Sequence, residues 1–374
     1  MKNINYSFSE KEVIIQDENL KFDNLRIIKE KGMGANGIVF ECFDIVLKRP
    51  VALKIWIPRK GRAYPDAKRF EAEIQKLASI QDHESIVKIH YANSHNKFFY
   101  AIMEYVEGEV LASWLSKENN TKTKLKVAQR IIRGMDYSHY QNVYHGDLHA
   151  QNIIVKSDWA SAGRTVKILD FGTSIFSPES SKLRASYLMS QTLAKLFDSE
   201  YLELLHPQIL EFVHEENWMK VRNKYKNQNF ITPESVLACF EVLIEFITAK
   251  LEHLGKISDL DTLLSDLCLF LVKSPFLNFE KLIPFLREYA NENQIYYFID
   301  QFWRWTNFGG GVDPIHLMSE EFKELLVSMP GTNNAVEAYL HINETLSVNS
   351  EQYLIWRDFY KKYISYLQLK SLLV

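Results

Sequence analysis

Three side chains that can do acid–base or metal chemistry lie close together in the stretch VYHGDLHAQNIIV, from Val143 to Val155. Asp147, His149 and Asn152 provide a carboxylate, an imidazole and an amide, and an apolar β-like run follows them. A carboxylate in such a loop can accept a proton, and an amide oxygen can ligate a hard cation. The stretch therefore predicts a chemical site at the start of a strand.

A second acidic position, Asp170, ends the apolar run VKIL and is followed by Phe171 and Gly172. An acid at a strand exit often only caps the next turn. If the runs NIIV and VKIL pair as a hairpin, however, Asp170 lies beside the loop that carries Asp147 and Asn152. Asn152 and Asp170 would then offer two oxygen ligands to magnesium. Asp147 would be free to orient or deprotonate a hydroxyl group.

The segment KGMGANGIVF spaces Gly32, Gly34 and Gly37 as Gly-x-Gly-x-x-Gly between two β-like runs. Glycine lets the backbone approach phosphate oxygens closely, although an ordinary Gly-rich hairpin has the same pattern. A dinucleotide-binding turn would lead into a helix, whereas the residues IVF continue here as a strand. The context therefore excludes the dinucleotide turn and leaves the other two interpretations open.

Lys54 lies in the alternating run VALKIW. It needs either an outward orientation or a counter-ion, because burying an unpaired ammonium group is costly. Glu73, in the helical stretch DAKRFEAEIQKLASI, is the candidate partner. Such a pair would hold the ammonium group against the phosphates of a nucleotide. An exposed strand lysine and a solvated helix glutamate are the alternative.

The elements that must position these groups change character along the chain. Residues 25–105 read as short β-like runs, interrupted by one helix that Asp66 is placed to cap. From Val110 helical periodicity dominates, apart from the two runs that flank the loop, and after Phe176 nearly everything reads as helix. Strands followed by helices predict an α+β protein with a β-rich lobe and a helical lobe.

The composition is that of an ordinary globular protein, with 47% hydrophobic and 24% charged residues. Residues 1–172 carry 26 lysines and arginines against 21 acidic residues, and the remainder carries 18 against 26. The basic half could attract a polyanion such as a nucleotide and the acidic half a basic substrate, unless both are only solvated faces.

The N-terminus lacks a signal-peptide pattern and no apolar run reaches about 18 residues, so we expect a cytoplasmic protein without a membrane partner.

Two further features argue against other classes of site. The three cysteines are far apart, which disfavours a disulfide framework or a zinc cluster and predicts buried thiols at Cys42, Cys239 and Cys268. The basic run from Lys122 to Arg133 coincides with an amphipathic helix, so we interpret it as a solvated face and expect no nucleic-acid partner.

Taken together, these motifs resemble the protein-kinase superfamily. The glycine loop, the VALKIW lysine, the FEAEI glutamate, the hinge-like AIMEYVEGEVLASWL, HGDLHAQN and DFG occur in the family's order and near its spacings. The resemblance covers about residues 25–172. It implies a two-lobed fold in which an antiparallel β-rich N-lobe with one main helix spans 25–107 after an extension of 1–24. An enlarged helical C-lobe would span 108–374 and diverge after 172.

The resemblance also implies ATP and Mg²⁺ as cofactors and assigns the site residues. The three glycines would cover the phosphates, which Lys54 would contact while paired to Glu73. The adenine pocket would consist of Val39, Ala52, Met103 and the backbone of Glu104, Tyr105 and Val106. Asp147 would be the catalytic aspartate, supported by Lys54 and His149, and Asn152 and Asp170 would hold the metal.

Some positions depart from the protein-kinase pattern. Gly146 stands where regulated protein kinases carry an arginine that grips a phosphorylated activation loop, which makes a constitutive or partner-gated enzyme the expectation. His149 stands where serine/threonine kinases have lysine, and HGDLH is similar to aminoglycoside phosphotransferases. No Ala-Pro-Glu motif follows DFG.

From the resemblance as a whole, we expect transfer of the ATP γ-phosphate to protein serine or threonine. The alternatives are a small-molecule hydroxyl kinase, a pseudokinase binding module and an AMP transferase.

Overall fold

The computed structural model describes residues 5–34, 37–58, 65–95, 97–118, 120–157, 164–171, 178–205, 207–226 and 232–252. The chain divides into two compact units, residues 1–192 and 193–374. The expected lobe boundary at 107/108 lies inside the first unit and stays a prediction. Of the three cysteines, Cys42 and Cys239 are buried free thiols, as predicted, and Cys268 lies outside the described residues.

A five-stranded antiparallel sheet forms the β-rich part of the first unit. Its order is β4-β5-β6-β8-β7, and its strands are β4 (Leu25–Met33), β5 (Gly37–Asp44), β6 (Arg49–Trp56), β7 (Ile89–His95) and β8 (Phe98–Glu104). Along β5 and β6 one face is fully buried, through residues such as Phe40 and Leu53. Because side chains alternate along a strand, Val39 and Lys54, which are register partners, share the opposite face.

The N-terminal segment is a folded part of this unit, which the sequence did not predict. β1 (Tyr6–Phe8), β2 (Glu12–Ile15) and β3 (Glu18–Lys21) form a three-stranded antiparallel meander. Val13, Ile15 and Leu20 are fully buried in the same apolar cluster as the inner residues of β4, β5 and β6. Burial of this apolar surface stabilises strands that are only three or four residues long.

Among the residues described between the strands of this sheet, α1 (Ala67–Ile80) is the one helix, as predicted. The Asp66 side chain accepts a hydrogen bond from the Arg69 N–H and so caps its first turn. Phe70 and Leu77 are buried on the same helix as Glu73. The buried face of the helix is therefore apolar except for the Glu73 carboxylate.

The predicted NIIV–VKIL hairpin is confirmed. β10 (Ile153–Ser157) pairs with β11 (Arg164–Ile168) in an antiparallel register that aligns Ile153 with Ile168. On its other side β10 pairs with the two-residue strand β9 (Glu109–Val110), which leads into α2 (Leu111–Leu115). The long helix α3 (Thr121–Tyr140) packs on β11 and ends just before the loop that carries Asp147.

Helices account for the rest of the described chain, as predicted. They are α4 (Pro178–Ala194), α5 (Ser199–Leu202), α6 (Pro207–His214), α7 (Trp218–Tyr225) and α8 (Pro233–Glu252). In the second unit Phe212 and Tyr225 pack edge to face, and Phe197 contacts Phe240. Within the described ranges, no helix is long and apolar enough to cross a bilayer.

Candidate functional site

The Lys54 ammonium group lies between two carboxylates. Its Nζ is 2.8 Å from Glu73 Oε1 and 2.5 Å from Asp170 Oδ1. The side chains of Lys54 and Glu73 are only 6% and 5% exposed, and the Trp56 indole N–H also donates to Glu73. The ion pair predicted for these two residues is therefore present, and it is joined to Asp170, 116 residues further along the chain.

Opposing electrostatic effects set the charge states of this cluster. Burial lowers the pKa of Lys54, but the Asp170 and Glu73 carboxylates raise it by more, so the group stays an ammonium ion. Burial raises the pKa of Asp170, but the Lys54 ammonium outweighs this and holds the pKa below its ordinary value. Both groups are thus charged at neutral pH. Asp170 also has a φ of 52°, a left-handed conformation that is typically found at functional sites.

His145 connects the Asp147 loop to the end of β11. Its Nδ1 accepts the Asp147 N–H at 3.2 Å, and its Nε2 donates to the Leu169 carbonyl at 2.8 Å. The ring is fully buried against Phe171, with 4.6 Å between ring centroids. Burial lowers the pKa of His145 to about 4, so the imidazole is neutral and each ring nitrogen has one fixed partner.

Asn152 ties the same loop to the other strand of the hairpin. Its Nδ2 donates to the Asp147 carbonyl at 2.9 Å, and its own backbone carbonyl accepts the Leu169 N–H at 2.8 Å. Neither bond uses the side-chain amide oxygen of Asn152, and Leu169 directly precedes Asp170. The hairpin brings Asp147, Asn152 and Asp170 into one neighbourhood, as the sequence predicts.

Asp147 and His149 are the open part of the site. Their side chains are 56% and 44% exposed, and His149 Nε2 is 3.9 Å from Asp147 Oδ2. His149 Nδ1 accepts the Gln151 N–H at 3.2 Å, which leaves Nε2 to carry the proton of a neutral ring. This tautomer has its N–H on the ring nitrogen that lies near the Asp147 carboxylate.

The glycine motif forms the turn between β4 and β5. Gly34 N donates to Gly37 O at 2.9 Å. A Cβ on Gly37 would lie 2.6 Å from the Ile55 carbonyl oxygen, so only glycine fits there, whereas a Cβ on Gly32 or Gly34 would meet nothing within 4 Å. Packing among the described residues therefore does not require glycine at these two positions.

The expected adenine pocket residues also occupy consistent positions. Ala52 pairs in register with Met103, so the Met103 side chain, which is 7% exposed, lies on the same face of the sheet as Ala52. Glu104, at the end of β8, leads directly into Tyr105 and Val106. Their roles toward a nucleotide stay a prediction.

Sequence reasoning did not identify two further interactions around this pocket. Lys167 Nζ is 2.8 Å from Glu104 Oε2 in a largely buried ion pair. At the outer edge, the Tyr105 hydroxyl donates to Glu41 at 2.8 Å and accepts from Lys31 at 3.3 Å. Glu41 lies on the same face of the sheet as Ala52, its register partner. The carboxylate on this strand was therefore the feature of the sequence from which the Tyr105 contact could have been predicted.

The comparisons with known proteins agree with this geometry. The family model described as a protein kinase domain matches residues 25–194. Serine/threonine-protein kinase PrkC of Bacillus subtilis is 30% identical over 154 residues, which are 41% of this chain and 22% of that protein. A probable serine/threonine-protein kinase PknB of Lactococcus lactis is 30% identical over 162 residues, 42% of this chain and 25% of the relative.

The calcium/calmodulin-dependent protein kinase type II subunit delta of Oryctolagus cuniculus is 28% identical over 155 residues, 41% of this chain and 28% of that protein. The chain thus spans 22% to 28% of the length of these curated relatives. A crystal structure of the Mycobacterium tuberculosis PknI kinase domain, in a double-mutant form, covers 60% of this chain and 97% of its own, at 13% identity and a TM-score of 0.46. Residues 25–194 are therefore similar to protein kinase domains.

Proposed function

We propose that this protein transfers the γ-phosphate of ATP to serine or threonine hydroxyl groups of protein substrates, with Mg²⁺ as the metal. The observation that carries the proposal is the position of Lys54, whose buried ammonium group pairs with the buried Glu73 carboxylate and with the partly exposed Asp170 carboxylate. A fixed cation beside a metal-ligating carboxylate is the arrangement that phosphoryl transfer requires. The names of the curated relatives support a protein acceptor.

In this proposal the β-rich lobe binds the nucleotide. Gly32, Gly34 and Gly37 cover the phosphates, and Lys54 contacts them. The base lies between Val39 and Ala52, Met103 closes the back of the pocket, and the backbone of Glu104, Tyr105 and Val106 bonds the base edge. The lack of packing demands on Gly32 and Gly34 supports the first of these roles.

Asn152 and Asp170 would hold the magnesium ion through one amide and one carboxylate oxygen. Within the described ranges, no three acidic, histidine or cysteine side chains cluster as a metal cage. This donor set fits magnesium, which keeps much of its shell for phosphate and water oxygens. When bound, the ion neutralises phosphate charge.

Asp147 is the proposed base at the acceptor. Its exposed carboxylate accepts the hydroxyl proton as the acceptor oxygen bonds to the γ-phosphorus and the bond from that phosphorus to the ADP oxygen breaks. The His149 Nε2–H donates to the transferring group and does not leave the ring. The Asn152 and His145 hydrogen bonds hold the backbone of Asp147 during this step.

A small-molecule hydroxyl acceptor is the second candidate, and HGDLH favours it. Gly146 and His149 both depart from the protein-kinase pattern there and match the phosphotransferases of small molecules. The acidic character of residues 173–374 would suit a cationic acceptor.

The localisation of the protein is a separate question. Our expectation of a cytoplasmic protein without a membrane partner stays a prediction.

The test is incubation with γ-labelled ATP and magnesium of wild type and Asp147→Ala, each with no acceptor, with unfolded mixed-sequence protein and with a fraction of small metabolites. Peptide mapping by mass spectrometry then locates phosphate. Label on serine or threonine that is absent from Asp147→Ala supports the protein acceptor. Label found only in small molecules supports the second candidate, and label independent of Asp147 overturns both.

A further inference from the structure

Helix α4 bonds the catalytic loop on both sides of Asp147. Arg184 Nε donates to the Gly146 carbonyl at 3.0 Å, and Thr192 Oγ1 donates to the Leu148 carbonyl at 3.4 Å. Both contacts lie within the first compact unit. The backbone carbonyls of the residues before and after Asp147 are therefore both bonded to a single helix.

Both backbone polar groups of Asp147 itself are also bonded. Asp147 N–H donates to His145, and Asp147 C=O accepts from Asn152. Of these four hydrogen bonds, the one from Arg184 has a permanently charged donor. Charge-assisted hydrogen bonds are about twice as strong as neutral ones. Arg184 therefore makes the strongest of the four connections to the loop.

The location of Arg184 compensates for a departure seen in the sequence. Gly146 has no side chain with which to bind a phosphorylated loop, which is the role of arginine at this position in regulated kinases. Here helix α4 supplies an arginine, Arg184, that donates to the backbone carbonyl of Gly146 itself. That bond needs no phosphate group in order to form.

On the basis of the proposed function, we propose that Arg184 is a positioning residue that holds the Asp147 loop in its working geometry permanently. Turnover then does not wait for phosphorylation of the segment between β11 and α4. Thr192 adds a weaker, neutral contact to the same loop. Misplacing a reacting group by about 1 Å can cost about 100-fold in rate.

Four variants test this positioning role. Arg184→Met should lower kcat by about 10- to 100-fold, and its KM for ATP should change little because the proposed nucleotide groups lie on β4 to β8. Arg184→Lys keeps the charge and a donor and should recover part of the loss. Thr192→Val should have a smaller effect. Lys195→Met removes an exposed positive charge just beyond the same helix and is the matched control.

The closing experiment treats wild type with phosphatase, verifies its mass, and measures initial rates of labelled transfer beside the four variants. The expected result is unchanged wild-type turnover, a loss of kcat in Arg184→Met and a normal rate in Lys195→Met. Wild-type kcat in Arg184→Met, or loss of wild-type turnover after phosphatase treatment, overturns the proposal.

Amide hydrogen exchange of the peptide covering residues 145–152 separates this inference from the proposed function. Faster exchange in Arg184→Met than in Lys195→Met, with equal melting temperatures, is expected whether or not an acceptor has been found. Equal exchange in the two variants overturns the role of Arg184 as an anchor. Absence of any transfer by wild type, together with faster exchange in Arg184→Met, would instead count against the proposed function alone.

Discussion

The two halves of the candidate site differ in how strongly their charges are fixed. Lys54 and Glu73 are almost fully buried and paired at 2.8 Å, whereas Asp147 and His149 are half exposed and 3.9 Å apart. The first half is built before any ligand arrives, and the second leaves room for an incoming hydroxyl group. This difference suits a protein that binds one constant substrate, the nucleotide, and a second substrate that must enter and leave.

Replacing Lys54 tests the buried half, where the largest effect on stability is expected. Lys54→Met leaves the Glu73 carboxylate buried without its cation, and breaking such a pair costs about 3–5 kcal/mol. Urea unfolding of the variant and wild type measures the loss. The matched control is Lys29→Met, since Lys29 pairs with Glu41 at 3.4 Å on the surface, where pairs contribute no more than about 1 kcal/mol. Equal losses in the two variants would contradict the comparison.

The neutral His145 predicts a pH dependence of stability. Its pKa is about 4 in the folded protein and 6.5 as the ordinary value. The unfolded chain therefore binds a proton that the folded protein excludes, and the contribution of about 3 kcal/mol, present above pH 6.5, is lost as the pH falls toward 4. Urea unfolding at pH 7 and about pH 5 should show a smaller decrease for His145→Asn than for wild type. Identical decreases would remove His145 as the cause.

His149 tests the open half of the site. His149→Ala removes a donor to a charged group, which we expect to lower kcat by about 10- to 100-fold. His149→Lys should retain most of the rate because lysine supplies a donor at the same position. Steady-state kinetics with ATP measures both variants, and inactivity of His149→Lys would show that the imidazole makes a more specific contact. Neither change should alter stability by much, since the side chain is exposed.

The edge of the nucleotide pocket should give the smallest effect. The Tyr105 hydroxyl bonds Glu41, and burial together with that carboxylate raises the pKa of Tyr105 to about 12, so the group remains a donor. Tyr105→Phe loses this one bond, and we expect the KM for ATP to rise by about 2- to 5-fold. The kcat should not change. A change in kcat with constant KM would place Tyr105 in the transfer step instead.

The parts of the fold that follow from local chemistry were predictable from the sequence. An ammonium group in an apolar strand needs an outward orientation or a counter-ion, which made Glu73 the candidate partner of Lys54. The predicted NIIV–VKIL hairpin placed Asp170 beside the Asp147 loop. Asp66 was recognised as a helix cap because the first N–H groups of a helix need an acceptor. The predictions for Lys54 and Asp66 each depended on a polar group that is unfavourable to leave without a partner and that has few possible partners.

The features that were missed depend on tertiary packing or on backbone atoms. Strands β1 to β3 are short and partly polar, and burial of Val13, Ile15 and Leu20 against the main sheet stabilises them. The Arg184 bond ends on the carbonyl of Gly146, and a backbone acceptor leaves no signature in the sequence. His145 was visible in HGDLH, but its two hydrogen-bond partners could be identified only from the fold.

The measurement that tests the central claim most directly is ATP affinity and labelled transfer, measured side by side in the presence of magnesium for wild type and Asp147→Asn. We predict that Asp147→Asn binds ATP within about twofold of wild type and loses about 10²–10⁴-fold in transfer rate. An Asp147→Asn protein that transfers phosphate at the wild-type rate, or one that loses nucleotide binding while it remains folded, would contradict the role of Asp147 as the base.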